Sequence, residues 1–81
     1  MLILLLLGTS GCHLCEEAEE IIASCQLDTH KVSIEPLDIA EQEHYQAEFA
    51  LYIPVLYHPD SLKRLNWPFD AAQVHEFMAH I

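Results

Sequence analysis

Two cysteines separated by two residues, Cys12 and Cys15, are the side chains best suited to chemistry in this chain. A thiol pair at that spacing can open and close a disulfide, and the thiolate is the form that attacks. The pair follows an unbroken apolar run, Leu2 to Leu7, and a small-residue stretch, Gly8-Thr9-Ser10-Gly11; a segment with helical periodicity comes next. Cys12 therefore falls in a loop between a strand and a helix N-terminus, where unpaired backbone N–H groups and the helix dipole favour an anion. Cys12 at the tip is the expected nucleophile, and Cys15, one turn further, the thiol that resolves a mixed disulfide. His13 lies between them and adds positive charge beside Cys12 when protonated, although its plainer role is that of a solvated loop residue. Glu16, Glu17, Glu19 and Glu20 oppose the thiolate, because neighbouring negative charge disfavours it.

The elements that must position the pair follow from periodicity. Leu2 to Leu7 has the continuous Ile/Leu character of a buried parallel strand bounded by glycine. The competing reading, a secretion signal, lacks a basic leading region, and the run falls far below the roughly 20 residues that span a bilayer. Leu14, Ala18, Ile21, Ile22 and Cys25 form one apolar face of a helix over about Leu14 to Gln26. Lys31 to Asp38 is a second strand, with Val32, Ile34 and Leu37 toward the core and Pro36 placing it at an edge. A second helix fits about Glu41 to Ala50, and Ile53 to Tyr57 is a third strand opened by proline. His58-Pro59-Asp60-Ser61 is a turn by composition, and Leu62 to Trp67 returns as a strand. Asp70, with Gln73 three residues on, supplies a capping box for a last helix that runs to the terminus. The order is βαβαββα, an α/β arrangement with a four-stranded mixed sheet and a right-handed crossover.

Composition bounds the function. A chain of 81 residues is one small domain, 1–81, and 52% hydrophobic against 20% charged residues makes it a folded one. Thirteen acidic residues against three basic ones leave a formal charge of −10, which excludes nucleic acid and anionic membrane as partners. Two of the three cysteines lie within four residues, an arrangement for thiol chemistry rather than for cross-linking distant loops, so a reducing, cytoplasmic setting is expected. Cys12, Cys15, Cys25 and His30 have a superficial zinc-like spacing. If a helix carries both Cys15 and Cys25, about ten residues part them by roughly 15 Å, too far to share one ion, so no metal is expected. Cys25 is expected in the core as a small hydrophobe.

Gly11-Cys12-His13-Leu14-Cys15-Glu16-Glu17-Ala18, Leu37-Asp38-Ile39, Tyr52-Ile53-Pro54-Val55-Leu56 and Trp67-Pro68-Phe69-Asp70 together resemble the small glutaredoxin-like proteins of the thioredoxin fold, over nearly the whole chain. The resemblance implies a thiol–disulfide oxidoreductase in which Pro54 is cis and packs beside the cysteines. It also implies that the Ile53 backbone pairs with the main chain of a bound thiol substrate. Gly11, His13 and Asp70 complete the candidate substrate contacts. Glutaredoxins typically carry Cys-Pro-Tyr-Cys, a basic residue near the motif and a Gly-Gly-x-Asp turn for the glutathione carboxylate. Here the inner pair is His13-Leu14, no Lys or Arg precedes Cys12, and Trp67-Pro68-Phe69 stands where the glycine turn would be, leaving only Asp70 of that site. No cofactor is expected, and glutathione as reductant is in doubt. The expected partner is a disulfide-bearing protein or small thiol, with a reductase or glutathione as electron donor. A non-catalytic binding or adaptor module on the same fold is the alternative, followed by a cysteine-ligated metal protein.

Overall fold

In the computed structural model, which describes residues 2–81, the leucine-rich run forms β1 (Leu2–Gly8) at the inside of a four-stranded sheet. The remaining elements are α1 (His13–Ser24), β2 (Val32–Asp38), a single 3-10 turn (Ile39–Glu41), α2 (Glu43–Phe49), β3 (Val55–His58), β4 (Lys63–Asn66) and α3 (Ala71–Ala79). The strand order is β2-β1-β3-β4. β1 pairs parallel with β2 from Leu2↔Val32 to Gly8↔Asp38, and antiparallel with β3 from Leu5↔Tyr57 to Leu7↔Val55. β4 returns antiparallel to β3, and β2, which carries Pro36, lies at the opposite edge.

The unbroken leucines are explained by two covered faces, because successive side chains of a strand point to opposite sides. Leu4 and Leu6 join Leu56, Ala18, Cys25, Phe69 and Val74 in a core on the face that carries α1 and α3. Leu7 joins Val55, Tyr57, Ile39 and Phe49 in a second core under α2. The strand is not buried throughout, since Ile3 is half exposed and Leu2 and Leu5 are only partly covered. Val32 and Ile34 pack against the first core, whereas Leu37 packs against the second, as its odd spacing from them requires.

Several boundaries differ from those read in the sequence. α1 ends at Ser24, and Gln26 takes a left-handed conformation (φ 51°) that turns the chain away. The segment after β2 is not one helix but a 3-10 turn capped by Asp38 and then the shorter α2. β4 is confined to Lys63–Asn66, and α3 stops at Ala79. The α3 cap is a full capping box, with Gln73 N–H donating to Asp70 Oδ1 at 2.8 Å and Asp70 N–H donating to Gln73 Oε1 at 3.0 Å. Two peptide bonds are cis, Ile53–Pro54 and Trp67–Pro68.

Candidate active site

β1 delivers the chain to the loop Thr9-Ser10-Gly11, and Cys12 is the N-cap of α1. Gly11 sits at φ 75°, a backbone conformation that residues with a Cβ rarely adopt, and it turns the loop so that the helix can begin. The Cys12 sulfur takes the place of a capping oxygen: Cys15 N–H donates to Cys12 Sγ at 3.2 Å. Cys12 is partly exposed, while Cys15 lies beneath it at 9% exposure.

Burial pushes the Cys15 thiol up to about 11, helped by its hydrogen bond to the Cys12 sulfur and by the negative charge of Glu19, while a backbone hydrogen bond at Thr9 pulls the other way. The sulfur has its place because Gly8 has no side chain; a Cβ there would lie 2.8 Å from Cys15 Sγ. Leu14, expected on the buried face, is instead 44% exposed, and the inward stripe of α1 is Cys15 and Ala18 backed by Ile22 and Cys25. Cys25 is buried at the other end of the helix, where its thiol donates to the Ile21 carbonyl at 3.3 Å, so the third cysteine is remote from the pair.

The loop is fastened to the end of β2. Ser10 Oγ–H donates to Asp38 Oδ2 at 3.2 Å, and Ala40 N–H donates to Asp38 Oδ1 at 2.9 Å. The Ala40 amide and the Ser10 and Thr9 donors hold the Asp38 carboxyl below its ordinary range. Between this corner and α1 lies a cavity of about 350 Å3 walled by Leu6, Gly8, Pro36 and Leu37, with Thr9, Ser10, Cys15, Glu19 and Asp38 as its polar lining.

Of the other residues singled out in the sequence, His13 is exposed and its Nδ1 lies 3.5 Å from Glu16 Oε2. The β1–β3 register places Pro54 across from Gly8, so Pro54, itself fully buried, is adjacent to the thiol corner. Trp67 N–H donates to the Pro54 carbonyl at 3.0 Å and fixes this segment to the end of β4. Ile53 packs on the second core. The Asp70 carboxylate is engaged in capping α3, and it has no hydrogen bond to the cysteine loop among the described residues. The structure thus assembles Gly11, Cys12, His13 and Cys15 in one loop and helix start, with Ile53 and Pro54 on the adjoining strand entry. Gly8, Glu19 and Asp38 belong to the same corner; in the sequence Glu19 reads only as one of four carboxylates opposing the thiolate, Asp38 as part of a family stretch and Gly8 as the end of an apolar run. Among the described residues no three His, Cys, Asp or Glu side chains are grouped as a metal ligand set.

A mixed four-stranded sheet with a dithiol at the N-terminus of its first helix defines a protein of the thioredoxin fold. Thioredoxin 1 from Thermosipho africanus TCF52B has this architecture, with a TM-score of 0.66 at 18% identity over 96% of this chain and 91% of that one. Residues 3–79 match the glutaredoxin-like domain (DUF836), and the chain belongs to that family. It is also similar to the structural-genomics target protein XcR50 from X. campestris. The crystal structure of XcR50 gives a TM-score of 0.81 at 27% identity, covering 96% of this chain and 97% of that one. Its solution structure gives 0.77 at 27% identity, covering 100% and 96%. No curated protein matches the chain.

Proposed function

We propose that this chain is a dithiol–disulfide oxidoreductase of the cytoplasm, with Cys12 as nucleophile and Cys15 as resolving thiol. The observation that carries the reading is the stacked placement of the two sulfurs: one partly exposed at a helix N-terminus and bonded to the Cys15 amide, the other buried one turn beneath. The Cys15 amide donates to the Cys12 sulfur where α1 begins, which holds that sulfur at the helix N-terminus. The Cys12 thiolate attacks a substrate disulfide, forming a mixed disulfide and releasing one substrate thiolate. Cys15 then attacks Cys12 Sγ, the bond to the substrate breaks, and the protein leaves oxidised by two electrons while the substrate is reduced. The Ile53 backbone, at the entry to β3, pairs with the substrate main chain, and Gly11 and His13 border the approach.

A protein disulfide fits this surface better than glutathione does. Phe69 is built into the first core and Trp67 stacks edge-on against it at 5.1 Å, so the segment in the position of a glycine turn is filled by aromatic side chains. Asp70 is occupied as a cap, and Leu14, Leu51 and Tyr52 are exposed apolar groups flanking the two halves of the site in sequence. No resident cofactor is proposed; electrons come from a reductase or, less suited to the acidic surface, from glutathione.

The test compares reduction of a protein disulfide with reduction of a glutathione mixed disulfide, for wild type, Cys12→Ser and Cys15→Ser. Wild type is expected to reduce the protein disulfide faster, Cys12→Ser to be inactive, and Cys15→Ser to accumulate a mixed disulfide visible as added mass. Full activity in Cys12→Ser overturns the assignment.

A further inference from the structure

Resolution of the mixed disulfide leaves a proton to be placed. Burial, with the negative charge of Glu19, holds the Cys15 thiol in its protonated form, so it must lose a proton to attack. Among the described residues, the titratable groups that share its corner are Cys12 in the loop, Glu19 on α1 and Asp38 on β2. Cys12 has no proton and no charge once it is bonded to the substrate. The Asp38 carboxylate already accepts from the Ala40 amide and the Ser10 hydroxyl, which makes it a weak base.

Glu19 is placed differently. It follows Cys15 by four residues, the spacing that stacks two side chains on one helix face, and both wall the same cavity of about 350 Å3. That volume has room for several water molecules between them. Among the described residues the Glu19 carboxylate takes part in no ion pair. Losing the Cys15 proton to bulk solvent would leave a thiolate beside the solvent-exposed Glu19 carboxylate on the wall of one cavity, two like charges. Passing it to Glu19 keeps the charge there constant.

We propose that Glu19 is the proton acceptor for Cys15, acting through the cavity that the two side chains share. The inference rests on the oxidoreductase reading above. As Cys15 Sγ attacks Cys12 Sγ, its proton passes to the Glu19 carboxylate, directly or over water. The Cys12–Cys15 bond forms, the bond from Cys12 to the substrate sulfur breaks, and its electron pair leaves on the substrate thiolate. Glu19 then gives up the proton to that thiolate or to solvent. The substrate gains the two electrons that the protein dithiol loses.

The experiment mixes reduced protein with a symmetric aromatic disulfide whose thiolate absorbs visible light, and follows absorbance in a stopped-flow instrument. Attack by Cys12 releases the first thiolate, and resolution by Cys15 releases the second. Glu19→Gln is expected to leave the first phase unchanged and to slow the second about tenfold or more, within the range for loss of a general base. Its second phase should also climb about tenfold per pH unit over roughly pH 6 to 8, as for a reaction limited by free thiolate, whereas wild type stays nearly flat. Glu20→Gln removes the same charge from the same helix outside the cavity and should alter neither phase. A second phase that is unchanged or faster in Glu19→Gln overturns the proposal. Faster resolution is the outcome if the carboxylate acts on the thiol through its field alone. Equal slowing in Glu20→Gln overturns it too. A wild type without a second phase, or a first phase that survives Cys12→Ser, overturns the oxidoreductase reading instead.

Discussion

Gly8 lacks the one atom that would collide with the buried sulfur. Its role is one of space, and Gly8→Ala sets a methyl group 2.8 Å from Cys15 Sγ in a corner where the backbone of β1 is held on both sides. The variant is expected to lose about 1–3 kcal/mol of stability, the usual cost of overpacking. It should also displace the Cys15 thiol, so that mixed disulfide forms at the normal rate but resolves slowly. Chemical denaturation and the two-phase thiol assay check both halves; unaltered stability with unaltered resolution would mean the corner can relax. The difference in exposure between the sulfurs has its own consequence. Alkylation of the reduced protein near neutral pH should modify Cys12 alone, because Cys15 is buried with its thiol near 11 and burial raises the Cys25 thiol as well. Peptide mass mapping after a short pulse of alkylating agent reads this directly.

The ends of β2 and α3 are where elements depend on single carboxylates. Asp38 closes β2, caps the 3-10 turn and anchors Ser10, and its donors hold it ionised below the ordinary carboxyl value of 3.8. A carboxyl lowered in the folded state adds stability above its unfolded value, and that stability disappears as pH falls through the folded one. Asp38→Asn should therefore melt below wild type at neutral pH, with the gap narrowing as the solution is acidified below about pH 4; a gap independent of pH would show that the charge contributes nothing. Asp70→Ala removes the acceptor for the Gln73 amide and should cost about 1 kcal/mol in thermal or chemical unfolding.

Local signals made several elements legible: the apolar run of β1, the proline that puts β2 at an edge, and the Asp70–Gln73 cap all carry their physics in a few neighbouring residues. The inward face of α1 was not readable in the same way. A stripe through Leu14 and one through Cys15 share Ala18, Ile22 and Cys25, so periodicity alone does not separate them. Separation comes from Gly8 on β1, whose missing side chain leaves the room that the Cys15 sulfur occupies. The cavity that joins Glu19 and Asp38 was hidden for a similar reason, since one reads as one of four carboxylates opposing the thiolate and the other as the end of a strand. Only the parallel pairing of β1 with β2 brings their neighbourhoods together.

Across the whole molecule the charge is uneven as well as large. Lys31 lies beside Leu2, where its carbonyl accepts the Leu2 amide, and Lys63 pairs with His58; both are at the end of the sheet opposite Cys12. The third cation, Arg64, is held over the rings of Phe49 and Tyr52 at 4.8 and 5.1 Å. Unbalanced charge of −10 destabilises a compact state through self-repulsion that salt screens. The melting temperature should accordingly rise as potassium chloride is raised from a few millimolar toward about 0.1 M, where the Debye length falls to about 10 Å; a flat or falling curve would show that the repulsion is locally compensated. One bond described above also turns the protein into its own spectroscopic indicator. Because the Cys15 amide proton rests against the Cys12 sulfur, any new bond to that sulfur changes the environment of a single backbone nucleus. The Cys15 resonance in a nitrogen–proton correlation spectrum should therefore distinguish thiol, adduct and disulfide without any attached label.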